Sequence, residues 1–267
     1  MTALLKERAF LCGLVLRIAA VCLLVPDVQQ TWFVDFVRHT VGRFPDPWTI
    51  HIGAGGDPLA FPYGVAMYAV LAPLTAVGAL VDRLGATGAF FAGLGFRTTL
   101  LIVDLTLLVL LRQLLPERRS LITWLYWLSP AALFITYWHG QLDIIPVALF
   151  VAAIALIRSG RPAAAGIVLG LSISAKLSML LVVPFLIIFI ERNKRYRAIR
   201  TTFLTAFVVS SIVSVGAPLL SEAARQMVLG SPLIWRLLET AIPVNQRVVV
   251  YLFPLAYIFL IAVAWLF

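Results

Sequence analysis

At least eight apolar stretches recur along the chain, separated by short breaks that carry charges, prolines or glycines. A helix of about 20 mostly apolar residues crosses a bilayer, and in lipid only helices or closed barrels satisfy every backbone N–H and C=O. Repetition at this length predicts an all-α polytopic membrane protein. Composition agrees: of 267 residues 62% are hydrophobic and 12% charged, with a mean hydropathy of +1.01. Those values exclude disorder and an ordinary soluble domain. The net charge of +9 would suggest nucleic acid in a soluble chain. Here the basic residues flank apolar runs, where they set orientation, and no nucleic-acid partner is expected. Cys12 and Cys22 lie in the first apolar segment at a spacing that suits neither a metal site nor a redox pair.

The first span, about residues 10–25, follows Lys6 and Arg8. No small-x-small cleavage pattern follows it, so it reads as an uncleaved helix with a cytoplasmic N-terminus. Further spans are expected at about 89–111, 121–137, 144–157, 163–175, 177–190, 201–220 and 248–267. The stretch 59–81 is ambiguous by hydropathy, and charge decides it. If it crosses, alternation puts Arg112, Arg118, Arg119, Arg158, Arg161 and the run ERNKRYRAIR at 191–200 outside, against the positive-inside rule. If it lies in the interface or re-enters the outer leaflet, these residues join Lys6 and Arg8 inside, giving twelve of the 21 basic residues.

The second arrangement is the expectation carried forward: a single membrane domain, 1–267, with about eight transmembrane helices. It has a first outer loop, 27–88, containing an interfacial helix, and a second outer loop, 221–247. Asp27, Asp35, Asp46, Asp57, Asp82, Asp143, Glu222 and Glu239, eight of the twelve acids, then face outward. The inner loops are too short for an ATPase or signalling domain, so chemistry belongs to the outer face.

Four places there combine polar residues in ways that suit chemistry. Asp27 directly follows the first helix in PDVQQTWFVDF, with Asp35 eight residues on; a carboxylate above the hydrocarbon edge can serve as a general base, or simply as a solvated flank. Asp57 and Tyr63 lie in GGDPLAFPYG, a glycine- and proline-punctuated loop that suits either a ligand contact or a helix start with an aromatic anchor. His139, Gln141 and Asp143 crowd the short turn YWHGQLDIIP, which is more polarity than capping a helix requires. Lys176 interrupts an apolar run in GLSISAKLSMLLVVP, where an ammonium can meet a phosphate as a point charge or snorkel to headgroups. Arg17, Arg97 and Asp104 fall inside spans and must pair or line a cavity; Arg97 and Asp104 are seven residues apart, on one helix face. Arg225, Arg236 and Arg247 are spread along the last outer loop.

The order of these features resembles the GT-C superfamily of integral-membrane glycosyltransferases, most closely the branch of GPI mannosyltransferase I and bacterial polyprenyl-phosphate-mannose-dependent enzymes. Asp27-Val28-Gln29 with Asp35 is similar to that branch's acidic D-x-D after the first helix, and Phe61-Pro62-Tyr63 to its opening of the interfacial helix. LLIVDLTLLVLLRQLL with Asp104, WLSPAALFITYWHGQLD and GIVLGLSISAKL with Lys176 resemble its later spans. The resemblance covers roughly residues 10–190. It implies transfer of a monosaccharide, mannose by preference, from a polyprenyl-phosphate donor to a hydroxyl of a glycan or glycolipid acceptor on the outer or lumenal face. Asp27 would be the base with Asp35 as its substitute; Lys176, His139 and Arg247 would hold the donor phosphate. Gln141, Asp143, Asp57 and Tyr63 would bind sugar or acceptor, and membrane lipid would surround the site. Gln29 replaces the second acid of D-x-D, so no metal is assigned, no cofactor is obligatory, and a divalent cation remains an open addition. Family members carry further C-terminal helices, which leaves room for a partner membrane subunit. The competing reading is a lipid-linked-sugar transporter or flippase component, for which half-to-half repeats would speak; none is evident.

Overall fold

The structure is a computed structural model that describes residues 4–43, 46–216, 218–230, 240–245 and 248–266. Helix α1 (Arg8–Leu23) stops because Pro26 disfavours helical backbone before it, and Leu24 is already extended. Beyond Pro26 a π-helical turn, Gln29–Val34, runs into α2 (Asp35–Thr40). Pro47 opens α3 (Pro47–Gly53), with the Asp46 carboxylate accepting from Thr49 N at 3.1 Å.

Two long helices follow, α4 (Val65–Gly85) and α5 (Phe90–Leu114). Their axes approach closely because glycines stand at the contact. A Cβ on Gly78 would lie 2.0 Å from Phe91 O, and one on Gly95 2.2 Å from Leu74 O. Asp82, buried near the end of α4, caps its neighbour: it accepts from Thr87 Oγ1 (2.6 Å), Phe91 N (3.0 Å) and Ala92 N (2.8 Å). Two otherwise orphaned N–H groups of the α5 start, and the hydroxyl of the connecting Thr87, are satisfied in this way.

The next apolar run is a rod bent by 52° between Trp127 and Pro130. It contains α6 (Arg119–Ile122) and α7 (Pro130–Leu133). Pro130 cannot continue the preceding helix, and Ser129 starts the new one by accepting from Ala132 N at 3.3 Å. Helices α8 (Ile144–Arg158) and α9 (Pro162–Ala175) form a hairpin, tied by Ser172 Oγ donating to Pro146 O at 2.7 Å. Lys176 takes extended backbone and ends α9. A 3₁₀ turn, Leu177–Val182, then leads to α10 (Val183–Arg192), α11 (Lys194–Arg197) and α12 (Arg200–Ser211). Helix α12 packs on Gly166 and Gly170 of α9, where an added Cβ would lie 2.4 Å from Phe203 O and 2.6 Å from Ser210 Oγ. That is the small-xxx-small contact of membrane helices. The chain continues through α13 (Glu222–Val228), an antiparallel hairpin of β1 (Ala241–Asn245) and β2 (Val248–Tyr251), and α14 (Leu252–Leu266).

Among the described residues three helical segments, α4, α5 and Arg200–Leu220, are long and apolar enough to cross a membrane, or four if the bent rod is one span. The remaining apolar runs are helical but shorter: 16 residues in α1, 15 in α8, 14 in α9 and 15 in α14. The difference from eight full-length spans has local causes. Lys176 divides one run, and 248–267 is helical only from Leu252. The ambiguous stretch 59–81 is helical from Val65 and extends to Gly85, a length sufficient by itself to cross. Its start is bonded to the end of α9, Ala66 N donating to Ser174 Oγ at 3.2 Å, and its end turns directly into α5. Its start therefore lies by the C-terminal end of α9, away from the basic loop at 158–161, and its 21 residues then run antiparallel along α5, with Leu74 against Gly95 and Gly78 against Phe91.

One core joins this end of the molecule. Phe33, Phe36, Phe61, Tyr63, Met67 and Tyr68 pack together with Leu142 and Ala175, and the Phe36 and Phe61 rings stack at 4.5 Å. Leu142 precedes Asp143, and Ala175 precedes Lys176, so burying these two fixes where their polar neighbours emerge.

Candidate active site

The turn between the bent rod and α8 is built by backbone bonds. His139 N donates to Phe134 O at 2.7 Å and Gln141 N to Ile135 O at 2.9 Å. Gly140 reverses the chain at φ 88°, a left-handed value that glycine adopts without strain. It also allows close approach: a Cβ there would lie 2.9 Å from Gln29 Cγ and 3.1 Å from Pro26 Cβ. Gln29 is buried and its Nε2 donates to Thr136 O at 3.0 Å. The turn is thus clamped to the residues on either side of Asp27. The Asp27 carboxylate is exposed and has no hydrogen bond or ion pair among the described residues.

At the other end of the turn, Asp143 precedes α8 without capping it. Its carboxylate is instead ion-paired with the Lys176 ammonium, whose side chain is 30% exposed. Tyr63 is buried edge-on against Phe33 and Phe61, with centroids at 5.5 and 5.3 Å. Burial, and then the negative charge of Asp143, push its hydroxyl well above the ordinary tyrosine range. Tyr63, Asp143 and Lys176 therefore form one group. His139 and Gln141 sit on the same turn, with Gln141 Nε2 and His139 Nδ1 3.3 Å apart.

Other candidates lie apart from this group. Asp35 bonds Arg38 (3.1 Å) and His39 (3.2 Å) on its own helix, and Arg38 also donates to Gly88 O at 3.1 Å, which turns this cluster toward the α4–α5 connection. The Asp57 carboxylate accepts from Leu59 N at 2.8 Å, and its carbonyl meets His51 Nε2 at 3.1 Å; both contacts are local to the loop. Arg247 lies outside the described residues, as does Arg236.

The charges inside the helices do not pair as their spacing suggests. Asp104 is matched with Arg17 at 2.6 Å, both nearly inaccessible, while Arg97 donates from Nε to Val21 O at 2.9 Å. α1 runs antiparallel to α5 and brings Arg17 to the level of Asp104. Two tyrosines complete the node, Tyr126 OH at 2.5 Å and Tyr137 OH at 2.9 Å. The Arg17 guanidinium also lies 3.7 Å over the Trp127 ring and donates to Trp127 O at 2.5 Å. Tyr137 stands two residues before His139, so this buried node anchors the foot of the turn. Ser174, which bonds Ala66 N and Ser214 O (2.7 Å), was likewise silent in the sequence, where serine in an apolar helix carries no distinguishing signal.

Among the described residues no three His, Cys, Asp or Glu side chains gather as a metal site. What the arrangement offers is a free carboxylate, an ammonium with donors beyond the one facing Asp143, and neutral hydrogen-bonding groups between them.

No curated protein and no solved structure matches the chain. Residues 61–267 match the model of glycosyltransferase family 87, a stretch that includes Tyr63, the polar turn and Lys176 and leaves out Asp27, Asp35 and Asp57. With well over half its length matched, the chain belongs to glycosyltransferase family 87, a family of membrane enzymes that transfer sugars.

Proposed function

We propose that this glycosyltransferase moves a monosaccharide, mannose by preference, from a polyprenyl-phosphate donor to a hydroxyl of a glycan or glycolipid at the outer membrane face. The observation that carries the reading is the clamp between Pro26, Gln29 and Gly140. It sets an unpaired carboxylate, Asp27, beside the turn whose far end bears the Asp143–Lys176 pair.

In this mechanism Asp27 takes the proton of the acceptor hydroxyl as its oxygen bonds the sugar's anomeric carbon. The bond from that carbon to the phosphate oxygen breaks, and polyprenyl phosphate leaves with the electron pair. Charge grows on the phosphate as it departs, so a fixed cation at Lys176 stabilises the transition state more than the ground state. Asp143 orients Lys176, His139 and Gln141 reach sugar or phosphate, and Tyr63 walls the site. Asp35 is the substitute base, and Asp57 is a further contact for sugar or acceptor. The N-terminus is cytoplasmic and α4 belongs to the outer side of the bundle, an orientation supported by the positive-inside rule.

The test is reconstitution with radiolabelled polyprenyl-phosphate sugars and candidate acceptors, comparing wild type with Asp27→Asn. Transfer should fall about a hundredfold or more in the variant. Undiminished transfer would remove Asp27 as the base, and movement of labelled donor across the bilayer without transfer would favour a carrier.

A further inference from the structure

At the opposite end of the bundle, which carries the basic run 191–200, an open groove of about 720 Å³ runs along α10 beside α14, lined by Phe185, Ile188, Phe189, Arg192, Lys194 and Ala264 among others. A second groove, about 380 Å³, lies on the α8 side of the same helix, where Phe150 and Ile154 face Phe185 and Phe189. The two phenylalanines belong to both, so their rings form the wall that the grooves share.

The chemistry of the first groove changes along its length. It is apolar and aromatic through Phe185 and Ile188, then basic where α10 ends. Arg192 donates from Nη1 to Trp265 O at 2.7 Å. Its other N–H groups, and the whole Lys194 ammonium, have no hydrogen bond or ion pair among the described residues. The acid of this run, Glu191, is engaged by Arg200 at 2.6 Å. The mouth of the groove is therefore cationic, with no counter-charge among the described residues. Trp265 beside it is 58% exposed, as suits a residue at headgroup level.

We propose that α10 holds one anionic glycerophospholipid, with its phosphate on Arg192 and Lys194 and one acyl chain in each groove. Two apolar grooves sharing one aromatic wall match a two-chain lipid, whereas a single polyprenyl chain would occupy one and leave the other open. A packed protein helix would bury both cations without a counter-charge, at high cost. A phosphate supplies that charge, and basic residues next to a bilayer favour anionic lipids. The site lies away from the outer turn and stands whether or not Asp27 and Lys176 perform the chemistry assigned to them.

The test is native mass spectrometry of the purified full chain titrated with phosphatidylglycerol or with phosphatidylcholine of the same acyl composition. Phosphatidylglycerol should be retained as a one-to-one adduct, about tenfold more tightly than phosphatidylcholine. Arg192→Gln combined with Lys194→Gln should abolish that preference, with unfolding temperature in lipid-free detergent unchanged. Arg195→Gln, which removes a charge beside the groove but not lining it, should keep the preference. Ile188→Trp, filling the first groove, should weaken both lipids. Equal affinity for the two lipids, an equal loss in Arg195→Gln, or tighter retention of a polyprenyl phosphate than of phosphatidylglycerol would overturn the proposal.

Discussion

At the scale of single residues, the site rests on an ammonium that shares its charge with one carboxylate. Lys176→Met should lower sugar transfer about a hundredfold or more, because a donor to the departing phosphate is lost. Lys176→Arg should retain part of the activity by keeping the charge. If the methionine variant transfers at the wild-type rate, the phosphate is bound elsewhere. A second residue-scale expectation concerns Glu7, which receives both Arg112 Nη1 (2.7 Å) and Nη2 (2.6 Å). The hydrogen bonds from Arg112, outweighing burial, hold the Glu7 carboxyl below its ordinary value of 4.5. A depressed folded-state pKa means that the pair's contribution is complete above about pH 4.5 and is lost as pH falls through the folded value. Thermal unfolding in detergent from pH 7 to 3 should show this loss in wild type and not in Glu7→Gln. Lys176 and the polar turn were legible in the sequence because they interrupt apolar runs. Their pairing was not, since Asp143 and Lys176 are 33 residues apart and meet only through the α8–α9 hairpin. The same limit misdirected Asp104, for which spacing offered Arg97 and antiparallel packing supplied Arg17.

At the scale of elements, contacts between helices are set by where side chains are missing. Gly166 and Gly170 leave no room between α9 and α12, so Gly170→Leu should destabilise the protein by about 1–3 kcal/mol through overpacking. A lower unfolding temperature in detergent, with an unchanged temperature for Gly53→Ala, where an added Cβ meets nothing within 4 Å, is the expected result; an unchanged temperature for Gly170→Leu would mean that α12 can shift aside. Helix starts were readable from proline at Pro47, Pro130 and Pro162, where its missing N–H costs nothing. The path of α4 was not readable from hydropathy, which measures length and polarity but says nothing of which helix lies alongside. The cap that Asp82 provides to α5 was hidden for a related reason: a carboxylate at the end of one helix gives no sign that it serves the next.

At the scale of the whole molecule, membrane residence was plain from apolar repetition alone, whereas orientation depended on one stretch. Single cysteines placed at Arg118 and at Gln141, in a background with the exposed Cys12 and Cys22 replaced by serine, should react with an impermeant reagent from opposite faces. Labelling of the cysteine at 118 from outside, with that at 141 protected, would show that α4 crosses and that the basic loops face outward. The residues proposed to react straddle the edge of the family match, Asp27 before it and Lys176 within it. The chemistry assigned to the matched part is therefore the part the family supports most directly.

The buried Arg17–Asp104 pair also has a consequence for how the chain is made. Arg17 leaves the ribosome 87 residues ahead of its partner, and a guanidinium in the middle of a lone lipid-exposed helix is strongly unfavourable. The first span is therefore disfavoured in lipid on its own when it emerges. Retention at a protein-lined site of the insertion machinery until α5 arrives would remove that cost, and the release of these two helices into the bilayer would then be expected as a single, late event.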